Sequence, residues 1–125
     1  MKAVFLSASP YADDAMNLPV ADVASAIPYY ESKLGFRVLE RRDEAPKFVI
    51  LARDNIQIGL AENGGDPEQE GCFFEVDDIV AAFQEIKGKP PTTNDIKNQE
   101  SHGKKYRVFF EVAPDGLCYM LGQRV

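Results

Sequence analysis

The sequence predicts an α+β chain in which one strand–helix–three-strand (βαβββ) unit is used twice. Three observations carry that expectation. A capped apolar helix occurs in each half, and the two stand at a constant offset of 56 residues. Each helix follows a short apolar strand and precedes three further extended segments. The halves are joined by the polar, glycine-containing stretch "NGGDPEQEG". A repeat this long is a fold-level signal, because a duplicated unit repeats its own burial pattern. The expected organisation is one domain over 1–125, with module one at about 14–63 and module two at about 70–125. The two modules are expected to form an open curled sheet or barrel.

Each element has a local reason. In "LPVADVASAIPYYESKLGF", Leu18 and Val20 open as a strand and Asp22 is an N-cap, since its carboxylate can accept from the free N–H groups of the first turn. Val23, Ala26, Ile27, Tyr30 and Leu34 then fall on one helical stripe. Gly35 is the expected stop in the left-handed conformation. Pro28 lies inside this helix, removes one backbone bond and introduces a local conflict. "FRVLERRD" reads as a strand, "EAP" as a turn, and "KFVILARDNIQIGLAEN" as two strands around the hairpin turn Asp54-Asn55.

After the linker, "CFFEVDDIVAAFQEIKGK" repeats the cadence. Val76 matches Val20 and Asp78 matches Asp22, while Ile79, Ala82, Phe83 and Ile86 repeat Val23, Ala26, Ile27 and Tyr30. "PPTTNDIKNQESHGK" reads as strand and loop, "KYRVFFEV" as a strand, "APDG" as a turn and "LCYMLGQ" as the last strand. The N-terminal "KAVFLSAS" fits either an extra edge strand or an arm reaching a partner, since a long apolar edge needs a cover.

Composition narrows the function classes. Of 125 residues, 20 are Asp or Glu and 14 are Lys or Arg, for a net charge of −6. That balance argues against a nucleic-acid partner, whose phosphates call for basic patches. It suits a cationic ligand if the charge gathers at a cleft, although most surface charge serves only solvation. No apolar run approaches the length of a membrane span. "MKAVFLSASPYADD" lacks the basic start and apolar centre of a signal peptide. Cys72 and Cys118 lack metal-like spacing and are expected as buried reduced thiols, which fits a cytoplasmic protein.

Strand parity assigns faces. Side chains alternate across a sheet, and one helix per module covers one face. Ile56, Ile58 and Leu60 should meet the first helix with Leu18 and Val20, leaving Asn17, Pro19, Gln57, Gly59 and Ala61 opposite. Cys72, Phe74, Val76, Tyr119 and Leu121 should meet the second helix, leaving Gly71, Phe73, Glu75, Cys118, Met120 and Gly122 opposite. The non-helical face then carries small residues that leave space, with polar groups and an aromatic to orient a ligand.

Several residues have a sharp and a bland reading. His102, the single histidine, sits in the polar loop "NQESHGKK" and reads as solvated rather than as a general base. Glu75 is a cation partner, a base or a rim carboxylate. Asp22 and Asp78 look like paired acids but read as helix caps. Phe48 and Phe73 either stack on a ligand or pack the sheet. Cys118 shows no setting that would lower its pKa. "GGDPEQEG" has no following lysine and is not a phosphate loop.

The stretches "PVADVASAIPYYESKLGF", "FFEVDDIVAAF" and "APDGLCYML", in that order, resemble the vicinal oxygen chelate superfamily of glyoxalase I, bleomycin-resistance proteins and extradiol dioxygenases. The likeness spans about Met16 to Gly122. It implies paired βαβββ modules around a ligand site, and a homodimer. Metal-dependent members place His, Gln or Glu ligands on the first and last strands of each module. By motif spacing those positions fall on Ala15, Gly59, Gly71 and Met120, none a plausible ligand for a divalent ion. The first Asp of the family's closing turn is Ala113 here. No metal and no other cofactor are therefore expected.

Without metal ligands the chain looks most like the bleomycin-resistance branch, associated with antibiotic resistance, in which a cationic glycopeptide is sequestered at a dimer interface without chemistry. Phe48 matches an aromatic position of that branch that stacks on the drug. The expected function is a metal-free, non-catalytic protein that sequesters a small cationic or aromatic ligand. Its expected contacts are Asn17, Phe48, Gln57, Gly59, Phe73, Glu75 and Met120, with no catalytic residue. The alternative is a glyoxalase-like metal-dependent lyase or isomerase, with ligands drawn from His102, Glu62 or Glu111.

Overall fold

Two open sheets and two helices carry the chain, in a computed structural model that describes residues 3–10, 14–92, 94–101 and 103–125. The strands are β1 (Phe5–Pro10), β2 (Leu18–Pro19), β3 (Arg37–Arg42), β4 (Phe48–Arg53), β5 (Ile56–Ala61), β6 (Gly71–Val76), β7 (Lys97–Ser101), β8 (Lys104–Val112) and β9 (Cys118–Arg124). Helix α1 is Val23–Ser32 and α2 is Ile79–Lys87. Within the linker a 3-10 turn spans Pro67–Gln69.

Sheet one has the order β2-β5-β4-β3 and sheet two the order β1-β6-β9-β8-β7. Apart from β1 the two orders are the same, and each sheet holds one parallel pair, β2 with β5 and β6 with β9. The duplication legible in the sequence is thus a duplication of topology. Among the described residues neither sheet closes on itself, in keeping with the open arrangement expected. The N-terminal segment is settled as an edge strand of its own chain: β1 runs antiparallel to β6, from Phe5 opposite Val76 to Pro10 opposite Cys72.

The helices start and stop where their local chemistry directs. Asp22 accepts from Ser25 N–H at 3.4 Å and Asp78 from Ala81 N–H at 3.0 Å. Gly35 and Gly88 take the left-handed conformation at φ 72° and 75°. A second cap comes from the end of each module: Glu62 accepts from Val23 N–H at 3.0 Å, and Gln123 from Ile79 N–H at 2.9 Å. Both satisfy an orphan donor of a first turn. Helix α1 tolerates Pro28 because that residue is on its exposed side.

Parity holds on the helical sides. Ile56, Ile58, Leu60, Cys72, Phe74, Val76, Tyr119 and Leu121 are all buried. These residues and both helices form one shared core. Within it the Tyr30 and Tyr119 hydroxyls meet at 2.6 Å, and the Phe74 and Tyr119 rings stack with centroids 5.1 Å apart. Because the helical sides share this core, the non-helical faces turn away from it. Pro19 is buried, since the linker backbone at Gly65 lies against its ring. One expectation, for Cys118, needs correction. Cys118 is half-buried rather than buried, and it sits on the face of its sheet opposite to Cys72.

Candidate functional site

Strand register builds the non-helical face of sheet one. Phe48 stands opposite Ala61, Ile50 opposite Gly59 and Ala52 opposite Gln57. The side chains of Phe48 and Ile50 therefore share that face. Beside them Asn17 is held by Asn63, whose Nδ2 donates to its carbonyl at 3.0 Å and to its Oδ1 at 3.2 Å. Together with Met16, Lys47 and Glu62, these residues line a cavity of about 440 Å3. Its walls are mainly apolar, with amide groups and two charges at the rim, the composition of a small-molecule site.

Of the residues expected at a site, Asn17 and Phe48 line this one cavity. Gln57 is exposed on the same sheet face and stands outside this cavity. Gly59 is buried beneath the backbone of Met16. A Cβ placed there would lie 2.1 Å from the Met16 carbonyl oxygen, and Gly59 N–H donates to the Ala15 carbonyl at 2.8 Å. The strand at Gly59 is glycine because the backbone of residues 15–16 crosses it, not because a ligand needs the space.

Phe73, Glu75 and Met120 belong to the non-helical face of sheet two. Phe73 is half-buried, lies edge-on to Tyr106 with centroids 5.2 Å apart, and fills the space left by Gly122. Glu75 is half-buried opposite Ser7 of β1. Met120 is opposite Phe110, which is 51 % exposed, and its neighbour on that face, Val112, is 60 % exposed. The seven sequence-predicted contacts thus fall on two sheets of one chain. Sequence reasoning missed Ile50, Lys47, Phe110 and Val112. The alternation from Phe48 to Ile50 and from Phe110 to Val112 was the available signal.

Of the residues named for a metal-dependent alternative, Glu62 and Glu111 hold other partners. Glu62 caps α1. Glu111 is buried on the helical side, accepts the Tyr29 hydroxyl at 2.5 Å and pairs with Lys87. Burial, and then that carboxylate, hold the Tyr29 hydroxyl well above its ordinary pKa. His102 lies outside the described residues. Among the described residues no group of three His, Cys, Asp or Glu side chains is placed to hold a metal ion.

The model of the Glyoxalase/Bleomycin resistance protein/Dioxygenase superfamily matches residues 13–117. A virulence protein from Salmonella typhimurium superposes with a TM-score of 0.67 at 18% identity, covering 91% of this chain and 97% of that one. A bleomycin resistance determinant encoded on the transposon Tn5 gives a TM-score of 0.62 at 25% identity, with 90% and 98% covered. The bleomycin-binding protein of the bleomycin-producing Streptomyces verticillus, in complex with copper(II)-bleomycin, gives 0.63 at 18% identity, with 89% and 94% covered. No curated protein sequence matches the chain. No helix among the described residues is long and apolar enough to cross a membrane.

Proposed function

The chain belongs to the Glyoxalase/Bleomycin resistance protein/Dioxygenase superfamily, and from that premise we propose that it is a metal-free binding protein which sequesters a small aromatic or cationic molecule. The observation that carries this reading is the cavity of about 440 Å3 on sheet one, with the Phe48 ring in its wall and Asn17 held at its rim. An aromatic wall stacks on a planar ligand, worth about 0.5–1.5 kcal/mol beyond the area buried. A solved relative of 24% identity is a bleomycin-binding protein in complex with bleomycin, which supports a ligand of that general kind.

Two further observations support the reading. Ala15, Gly59, Gly71 and Met120, the positions that resemblance assigns to metal ligands, carry no ligating side chain for a divalent ion. At Gly59 the crossing Met16 backbone leaves no room for one. The sequestering unit is a homodimer in this proposal. The apolar face of sheet two, with Phe110 and Val112 exposed beside Met120 and Phe73, closes over a second copy and brings Glu75 to the ligand.

Equilibrium titration with bleomycin and a panel of aromatic amines tests this. Saturable binding by a panel member, weakened at least tenfold in Phe48→Ala and weakened in Glu75→Ala, with melting temperatures nearly unchanged, is the expected result. Binding indifferent to Phe48, or none across the panel, overturns it.

A further inference from the structure

A second cavity, of about 220 Å3, lies between α1 and the turn joining β8 to β9. Asp22, Ser25, Tyr29 and Tyr30 line it from the helix, and Pro114 and Asp115 from the turn. The internal duplication supplies its comparison. By the offset of the helices, Ala21 and Tyr29 correspond to Asp77 and Glu85. By the register of β5 and β9 against their parallel partners, Asp115 corresponds to Asp54.

In module two the corresponding cleft is filled. Residues Ala3 to Phe5 run through it, with Val4 N–H donating to Asp77 at 2.7 Å and Phe5 N–H donating to Asp54 at 2.8 Å. Arg53 closes it, donating to Glu85 and to the Ala3 carbonyl. The cleft of α1 has an aspartate in the same place and no segment in it among the described residues. Asp115 accepts from Leu117 N–H, within its own turn, at 3.1 Å. Burial pushes the Asp115 carboxyl above its ordinary pKa, as expected for an enclosed carboxylate without a cation.

The polar groups of the described lining are the carboxylates of Asp22 and Asp115 and the Ser25 hydroxyl, with no lysine, arginine or histidine among them, while the Tyr29 and Tyr30 hydroxyls bond to Glu111 and Tyr119. Such a lining accepts hydrogen bonds and disfavours anions. Half-buried Tyr29 adds aromatic surface against which an apolar body packs. A primary ammonium supplies three donors and one positive charge, and its bonds to a carboxylate are charge-assisted.

We propose that this cavity is a binding site for a small primary ammonium compound with an apolar body, its nitrogen at Asp115 and its body against Tyr29 and Tyr30. The site is independent of the one at Phe48. Phenethylammonium is the probe and 2-phenylethanol its neutral control, followed by backbone amide shifts of the full chain at neutral pH. The expected result is saturable shifts confined to residues 21–30 and 114–117. They weaken at least tenfold in Asp115→Asn, whose amide oxygen retains the turn bond, and persist in Phe48→Ala. The alcohol gives no saturation. Should Asp115→Asn not fold, Ser25→Leu, which fills the cavity mouth from an exposed position, must abolish the shifts. Equal binding of the alcohol, unchanged binding in Asp115→Asn or in Ser25→Leu, or no saturation at millimolar probe overturns the proposal.

Discussion

Arg53 and Glu85 are joined by two guanidinium–carboxylate bonds, of 2.6 and 2.8 Å, that tie sheet one to the helix of module two. The same guanidinium donates to the carbonyls of Leu34 and Ala3 and sits 4.2 Å over the Phe5 ring. One side chain therefore holds the end of α1, the N-terminal edge strand and α2. Both partners are largely buried, at 7% and 13% side-chain exposure. Removing one partner of a buried pair costs about 3–5 kcal/mol, because the other charge is left without compensation. Arg53→Met is expected to lose that much in urea unfolding, and Glu85→Gln less. A loss below about 1 kcal/mol for Arg53→Met contradicts this role, being no more than an exposed ion pair contributes.

Gly59→Ala is the second prediction. The added methyl meets backbone, the Met16 carbonyl, at 2.1 Å, so residues 14–17 must move. Overpacking of this kind costs about 1–3 kcal/mol. The shift also displaces Asn17 and Met16 at the rim of the Phe48 cavity, so ligand affinity should fall together with the melting temperature. A fully stable variant with unchanged affinity places the Met16 crossing elsewhere.

The Tyr30–Tyr119 hydroxyl pair, 2.6 Å apart and buried, gives the third. Tyr119→Phe leaves the Tyr30 hydroxyl without its partner, at a cost of about 1–3 kcal/mol. Tyr30→Phe does the converse. The double variant should cost clearly less than the sum of the two, and a double-mutant cycle measures the difference. Strict additivity contradicts a direct bond.

Stability should fall at alkaline pH. Burial raises the Tyr30 and Tyr119 hydroxyls well above their ordinary value of 10.0 and pushes the Cys72 thiol up from 9.0 to about 12. Each group is protonated longer in the folded chain than in the unfolded one. Their contribution is therefore full below the unfolded pKa and is lost as pH rises toward the folded one. Denaturant midpoints should drop from about pH 9 upward, first through Cys72 and then through the tyrosines. Cys72→Ala should remove the early part of that drop. A flat profile to pH 11 contradicts the enclosed setting of these groups.

What was legible in the sequence is what depends on near neighbours. Asp22, Asp78, Gly35 and Gly88 cap their helices from within a few residues of them. The alternation of Ile56, Ile58 and Leu60 assigns a buried face without knowledge of the partner strand. What was not legible depends on distant segments meeting. Parity put Asn17 and Phe73 on non-helical faces but was silent on whether those faces belong to one sheet. Arginine reads as a surface residue, and only the convergence of Ala3, Leu34 and Glu85 makes Arg53 a core residue. The second caps, Glu62 and Gln123, depend on the ends of β5 and β9 lying beside the helix starts. Gly59 looked like open space because the crossing of Met16 leaves no pattern in sequence.

The measurement that tests the central claim most directly is elemental analysis of untagged protein purified without chelator, repeated after incubation with zinc, nickel, cobalt, manganese and iron(II). The account predicts no stoichiometric, tightly held ion before or after incubation, with binding at the Phe48 face unchanged by added metal. One tightly held ion per chain contradicts it: ligands other than Ala15, Gly59, Gly71 and Met120 would then hold the metal, and lyase and isomerase assays would replace the binding panel.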